Sequence, residues 1–485
     1  MSASDHVSPA PSGFRLLSDE ALEVIHQAAL EILSSTGSRV YNAEARDLLA
    51  GAGCEIADQD LVRIPAEVVE RALESAPAEI VLHDRFGAPA MRLSEHRTYY
   101  GTGSDLPFTL DLESGTRRPS VLADVGRAAR LADALPNLDF VMSMAQASDI
   151  DSEVSDRHAF LTMVENTTMP IVFTAWDDQG LADIIAMAEA VAGGAEALNQ
   201  HPFLLAYLEP TSPLQHLDEV IAKLLLMADK GLPFVYAPGP IEGASAPVTS
   251  AGSLAMAVAE GLCGLAIAQL ERPGTPFLFG SGAGPLDMKT TVATYFSPEH
   301  MRHCMAIADL AHYKYHLPVW GFAGCSDSKL ADIQAGAESA MWFLWTELSG
   351  ANLVHDVGYI ESGLTCSLEL MVVSDEIIGA VRRLLEPFEV SPQTLALDVI
   401  DEVGPGGDFL ATSHTMKHFR QCWYPNVFDH QTHQAWAEAG GRSATDRATE
   451  LAREILSSHR PEPLPSSVLE ALQGIVQAAG RGGTP

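Results

Sequence analysis

From residue 136 onward the chain alternates two kinds of segment, and this alternation restricts the fold more than any other feature. The runs at 139–145, 171–175, 203–208, 234–237, 277–280, 319–322, 353–356 and 368–373 are short and apolar, as strands buried on both faces are. Between most of them lie longer stretches of helical length, at 153–166, 181–191, 217–229, 250–270, 298–316 and 331–350. Eight strands alternating with helices over roughly 250 residues predict an α/β fold of the closed (β/α)8 TIM-type barrel kind. A doubly wound open sheet is the competing arrangement, but no GxGxxG follows a first strand. One corner is irregular: residues 358–367 leave no room for a full helix between the last two runs.

The barrel is expected to occupy 131–390, with additions on both sides. Residues 1–13 are polar and rich in Pro and Ser, so a flexible arm is expected there. Residues 14–130 read as an N-terminal α/β region, with helices near 18–33, 43–50 and 65–75 and a small sheet from 80–83, 91–93 and 98–100. Residues 391–485 read as a C-terminal helical and loop cap, ending in helices at 444–457 and 466–479. Part of this cap is dense in His, Trp and Tyr, whose rings need a surface to pack on.

Sixty-four acidic residues against 29 basic ones give a net charge of −35, which argues against a nucleic-acid or anionic-membrane surface. The partners are then small molecules or proteins. Six cysteines are scattered without a CxxC pair, which suits a reduced cytoplasm. The start, MSASDHVSPAPSGF, has neither a basic beginning nor an apolar run, and no uncharged apolar segment of 18 residues follows. A soluble cytoplasmic protein without an export signal is expected.

In such a barrel, ligands meet the residues just after each strand. Those positions hold Gln146 and Asp149, Trp176 and Asp177, Glu209, residues 238–242, 281–284 and 325–329, and His355, Tyr359 and Glu361. The stretch PVWGFAGCSDSKLADIQAGAE at 318–338 contains one strand, polar turn and helix entire. Glycines in PGPIEGASAP and GSGAGP let the backbone approach a bulky ligand, and no GxxxxGK[ST] is present for a nucleotide. The GTGSD loop at 101–105 follows Tyr99 and Tyr100 and could close over a site. Glu209 has no obvious local partner, so a cavity role is favoured over unpaired burial. Trp176 and Tyr207 read equally well as rim or core aromatics, and His355 beside Asp356 as a satisfied core histidine. His300, His303 and Cys304 have a helical spacing that can ligate zinc, but on an outer crossover helix packing or surface roles suit them better. Cys325, Cys366 and His355 are a conceivable second set that no spacing demands. No tightly bound metal is expected.

Three segments, AGCSDSKLADIQAGAE, NLVHDVGYIESGLTCSLELMVVSDEI and GPGGDFLATSHTMKHFRQCWYP, carry a resemblance that extends from GFRLLS to the helix with Arg447 and Glu450. Together they resemble the trimethylamine methyltransferase superfamily, the corrinoid-protein-dependent methyltransferases. The resemblance implies a barrel that offers a methylated amine to a cobalt corrinoid (cobalamin) carried by a separate corrinoid-binding protein docked on its carboxyl face. Archaeal trimethylamine enzymes of that family carry pyrrolysine. This chain has only standard residues, which makes it similar to members acting on quaternary amines such as glycine betaine, proline betaine and carnitine. The implied reaction moves a methyl group from a quaternary amine, glycine betaine foremost, to Co(I), releasing a tertiary amine such as dimethylglycine.

A quaternary nitrogen already bears the charge that lets a neutral amine leave, so the protein need supply only position, desolvation and charge complementarity. Because the charge vanishes during transfer, carboxylates tight against the nitrogen would favour the ground state. Aromatic faces hold such a cation more gently, at about 0.5–2 kcal/mol each. On this footing the cage candidates are Phe173, Trp176, Tyr207, Phe279 and Tyr359, with Tyr99 and Tyr100 as lid residues. The candidate catalytic groups are Glu209 and Glu361, shaping the field, and His355. Lys329 and His355 are the basic groups at strand ends nearest a substrate carboxylate, with the glycine-loop amides as alternatives, and Asp327 and Lys329 either touch substrate, meet the corrinoid protein or pin their loop. A metal-dependent hydrolase or lyase and a non-catalytic betaine-binding protein are the alternatives. A homo-oligomer is compatible with each.

Overall fold

Eight parallel strands follow one another in chain order around a barrel. They are β1 (Tyr99–Tyr100), β2 (residues 140 and 141), β3 (Ile171–Phe173), β4 (Leu204–Leu208), β5 (Phe234–Tyr236), β6 (Phe277–Gly280), β7 (Val319–Phe322) and β8 (Leu353–His355). The computed structural model describes residues 14–481, so the arm expected at 1–13 lies outside the described residues. β8 pairs back onto β1 through Leu353 with Tyr99 and Val354 with Tyr100. β2 is reduced to two bridges, Gly101 with Phe140 and Val141 with Ile171, which join β1 to β3. Side chains replace the ladder there. The Asp139 carboxylate accepts from the Tyr100 N–H at 2.9 Å, and the Thr102 hydroxyl exchanges bonds with the Met142 backbone at 2.7 and 3.0 Å. A Cβ at Gly101 would overlap Phe140, so only glycine permits this approach.

Each strand is followed by an outer helix: α1 (Leu122–Ala134), α2 (Ser155–Asn166), α3 (Asp178–Ala192), α4 (Asp218–Lys230), α5 (Ser250–Glu271), α6 (Pro298–Leu310), α7 (Ile333–Ser349) and α8 (Leu368–Leu385). The expected barrel is present with its phase moved by one unit. Residues 368–373, expected as the eighth strand, open α8, where the Ser367 hydroxyl accepts from the Leu370 N–H as the N-cap. Apolar residues of a buried helix and a buried strand look alike over six positions. The vacant place in the barrel belongs to Tyr99–Tyr100, expected in a small N-terminal sheet. The other two strands of that sheet, Ile80–His83 and Pro89–Leu93, form a hairpin of their own.

Alternation along each strand sorts the side chains. Tyr99, Phe140, Val172, Leu205, Val235, Leu278, Trp320 and Leu353, one from each strand, fill the barrel and rest on the hairpin's Ile80, Leu82, Met91 and Leu93. The hairpin therefore plugs the amino end. The alternate residues, among them Tyr100, Phe173, Tyr236 and Phe279, belong to the larger core between sheet and helices.

Helix α5 is apolar on every side because it is covered on every side. Helices Asp19–Glu31, Ala43–Gly51 and Ala66–Ser75 of the N-terminal region pack on its outer face. Among the described residues it is the one helix long and apolar enough to cross a membrane, and 89% of its most apolar window is buried inside the protein. Beyond α8, four short helices, Pro392–Leu395, Leu397–Val403, Ser413–His418 and His433–Glu438, bury none of their residues. The aromatic rings expected to pack there divide: Trp423 and Trp436 are half-buried, while Phe388, Phe409 and Tyr424 stay exposed. Helices Ala444–Ser458 and Ser466–Arg481 return to the body, the first against α8 and α1 and the second against α3 and α2.

Candidate active site

Two residues above the filled layer, the inward positions reach the carboxyl mouth as Thr174, Tyr207, Phe322 and His355. The His355 ring stands between Trp320 and Phe322, meeting each edge-to-face at 4.4 Å. Its Nδ1 lies 2.9 Å from Asp356 Oδ1, which leaves the Nε2 edge as the one turned from that carboxylate. Tyr207 lies 6.1 Å from the same imidazole, and its hydroxyl donates to Glu209 Oε2 at 3.1 Å. The Tyr359 hydroxyl donates to the Ser104 carbonyl at 2.7 Å. Asp105 accepts from the Ser143 and Thr174 hydroxyls at 2.8 and 2.7 Å.

These groups share one electrostatic neighbourhood. Tyr295 feels the charges of Asp356 and Glu209, and Tyr359 those of Asp356 and Asp105. Asp105 and Glu209 are enclosed by protein yet keep accessible surface, the condition of side chains on a cavity wall. Burial raises the Glu209 pKa above its ordinary 4.5, against the pull of the Tyr207 hydroxyl and the charge of His355. Burial likewise raises Asp105, opposed by Thr174 and Ser143 and assisted by Asp156. The phenols of Tyr207, Tyr295 and Tyr359 are pushed far up by burial and stay neutral donors. Backbone strain gathers at the same mouth. Asp105, Asp356, Glu361 and Ser362 hold φ values of 59°, 80°, 56° and 54°, each costing about 1–3 kcal/mol.

Two glycines make room for the site. A Cβ on Gly103 would overlap the Tyr359 hydroxyl and Asp356, and one on Gly239 would overlap Glu209. Gly103→Ala is therefore expected to displace Tyr359 and Asp356 and to lower the activity of a site at this mouth at least about tenfold, while folding is kept. Steady-state kinetics beside a thermal melt check this; unaltered activity would place Tyr359 and Asp356 outside the chemistry.

The sequence candidates divide cleanly in space. Tyr207, Glu209, His355 and Tyr359 come together at the mouth. Trp176, 62% exposed on the rim, and Phe173 border a side cavity of about 210 Å³ with Asp105 and Thr174, although the Phe173 ring packs on Phe160 of α2. Phe279 faces the helices, where its ring meets Tyr315 and fills the space left by Gly261 of α5. Tyr100 also faces outward, onto Phe343, and donates to Glu347 at 2.6 Å. Tyr99 lies in the floor, its hydroxyl accepting from the Arg92 N–H at 3.2 Å. Tyr99, Tyr100 and Phe279 thus contribute no face to the mouth.

The charged candidates of the outer loops are occupied by each other's neighbours. Glu361 accepts from Arg117 at 2.6 Å and Thr365 at 2.5 Å; burial would raise its pKa, but these donors hold it lower. Lys329 is exposed and donates to the Asp327 carbonyl at 2.7 Å. Asp327 accepts from the Tyr295 N–H at 2.9 Å and the Ser362 hydroxyl at 2.8 Å, fastening the loop after β7 to those after β6 and β8. His300 and His303 are buried in packing: His300 Nδ1 lies 3.0 Å from the Tyr295 carbonyl, and His303 Nε2 lies 3.0 Å from the Ser281 hydroxyl. Cys366 is bonded to Thr109 at 3.2 Å, and among the described residues no group of three or more His, Cys, Asp or Glu is arranged to hold a metal ion.

Sequence reasoning passed over Asp105, Tyr295 and Phe322. Asp105 ends the GTGSD loop, so its signal was present. Tyr295 sits far along the β6–α6 connection and had none.

The fold defines an α/β barrel protein whose carboxyl mouth gathers acidic and tyrosine side chains, the end at which barrels of this kind carry their sites. A family model described as trimethylamine methyltransferase (MTTB) matches residues 4–481, and the chain belongs to that methyltransferase family. Trimethylamine methyltransferase MttB of Desulfitobacterium hafniense (strain DSM 10664 / DCB-2) is 32% identical over 473 residues, covering 96% of this chain and 94% of the relative. MttB of Methanosarcina barkeri (strain Fusaro / DSM 804) is 31% identical over 474 residues, covering 96% and 95%. The glycine betaine methyltransferase of Desulfitobacterium hafniense (strain Y51) is 28% identical over 471 residues, covering 96% and 98%. Among solved structures, the monomethylamine methyltransferase MtmB of Methanosarcina barkeri is 11% identical with a TM-score of 0.49, over 97% of this chain and 89% of its own.

Proposed function

We propose that this chain moves a methyl group from a quaternary amine, glycine betaine foremost, to the Co(I) corrinoid of a partner protein, releasing a tertiary amine. The observation that carries the reading is Glu209, a cavity-wall carboxylate bonded to Tyr207 and within electrostatic reach of His355. A poorly hydrated carboxylate attracts a cation that cannot donate hydrogen bonds, and the rings of Tyr207, Tyr295, Phe322 and Tyr359 offer the faces such a cation prefers. His355, steadied by Asp356, is the donor for the substrate carboxylate. A zwitterion whose two charges are separated by one methylene spans the short distance between opposite electrostatic partners.

The acceptor supplies the nucleophile when it docks; everything else falls on this chain. As the C–N bond breaks, its electron pair stays on nitrogen and the positive charge disappears, so no proton is needed on the leaving amine. Tyrosines that stay neutral suit this, since they orient the substrate without opposing the loss of charge. A tertiary amine would first have to gain a charge, and a chain of standard residues with Lys329 occupied at the rim is the less suited to it.

Calorimetry with glycine betaine and with 3,3-dimethylbutyrate, the carbon isostere that keeps the carboxylate but lacks the ammonium charge, tests the cation site. Betaine is expected to bind at least about tenfold more tightly. Equal affinities would remove the basis for the quaternary amine.

A further inference from the structure

We infer that residues 387–428 form an arm that docks in the α7–α8 groove of a second copy of this chain, in a reciprocal two-fold exchange. The inference does not depend on the methyl-transfer reading. Eleven large apolar side chains between Phe388 and Phe428 are exposed, including Phe388 at 86%, Leu410 at 81% and Met416 at 66%. At roughly 100 Å² apiece they present on the order of 1,000 Å², above the roughly 800 Å² per partner of a standard interface. Helices of four to seven residues do not hold in water by propensity, and these bury nothing of their own. Their order requires a covering surface.

The chain carries a matching surface that it does not cover. Helices α7 and α8 enclose an open apolar groove of about 750 Å³, lined by Ile333, Ala337, Leu344, Val373 and Leu384, with Ile333 92% and Leu384 70% exposed. Phe428, at the base of the arm, also lines the groove, so groove and arm form one continuous apolar face. Among the described residues Asp332 is the one charged member of the lining, as a seam between two copies each carrying −35 requires.

The arm is tied along α8 of its own chain. It leaves the C-terminal end of α8, at the amino end of the barrel, and Arg383 near that end donates to the Gln421 carbonyl at 3.0 Å. Farther along, Glu376 accepts from the Asn426 N–H at 3.0 Å. The groove runs the height of the two helices, from Ile333 in the first turn of α7 to Leu384 in the last turn of α8, and a partner that comes and goes would leave this surface bare between visits. A second copy covers it permanently and offers an arm and a groove of its own, so both seams close under one two-fold axis.

Sedimentation of the full-length protein at micromolar concentration tests this. The wild type is expected to run as a dimer or a multiple of it. A groove variant, Ile333→Asp with Leu384→Asp, and an arm variant, Phe388→Asp with Leu410→Asp, are each expected to lose half the mass or more with the circular dichroism of the wild type. Mixing the two is expected to restore a heterodimer, because the groove variant's arm meets the arm variant's groove. A monomeric wild type, a mass unchanged in both variants, or mixtures that stay dissociated would overturn the exchange; the wild-type measurement decides even where a variant folds poorly.

Discussion

Glu209→Gln is expected to raise KM for a quaternary amine about 100-fold, with a smaller loss in kcat/KM. A carboxylate about 5 Å from an ammonium at an effective dielectric near 20 contributes about 3 kcal/mol. That attraction belongs to the charged ground state and fades as the charge leaves, so its removal weakens substrate binding more than it lowers kcat/KM. Glutamine keeps the shape and an acceptor for Tyr207, whose bond to Glu209 is 3.1 Å. Burial places the Glu209 pKa above 4.5, so affinity for the cation is expected to fall as pH drops through that raised value, and the glutamine variant to have a flatter profile. Kinetics across pH check both points. A variant with an unchanged KM and a collapsed kcat would mean that Glu209 takes part in the bond changes and does not merely hold the cation.

His216→Phe is expected to be less stable than the wild type at pH 7 and more stable at pH 5. The imidazole is fully buried, stacked near Tyr236 with Nδ1 2.7 Å from its hydroxyl, and its Nε2 has no partner. Burial lowers its pKa from 6.5 to about 3. Below pH 6.5 the unfolded chain takes up a proton that the folded chain refuses, so the stability present above 6.5 is lost as pH falls, by about 2 kcal/mol at pH 5. The substitution forfeits a hydrogen bond of about 1 kcal/mol at neutral pH but removes that proton penalty. Urea unfolding of both proteins at the two pH values measures the crossing. Parallel stabilities would mean that the imidazole is protonated in the fold.

How far the sequence spoke for the structure depended on whether the relevant signal was local. The alternation of apolar runs and helices is local, and it made the barrel legible. Its phase was not, because Tyr99–Tyr100 is too short to announce itself and residues 368–373 are as apolar as any strand. Strand ends were legible too, which is why Glu209, His355 and Tyr359 could be named. The inward or outward turn of each ring depends on register, so Tyr207 and Phe279 looked alike although one faces the mouth and the other α5. Asp105 and Tyr295 reach the site through loops whose paths only the fold determines. The aromatics after residue 387 suggested a packed cap, yet Phe388, Phe409 and Tyr424 stay exposed on their own chain.

The most direct test of the account supplies the purified protein with a reduced corrinoid acceptor and a panel of methylated amines, and follows methylation of the acceptor together with the demethylated product. Glycine betaine is expected to yield dimethylglycine in equal amount to methylated acceptor, with trimethylamine left unchanged. Demethylation of trimethylamine but of no quaternary amine, or binding of betaine with no transfer at all, would contradict it.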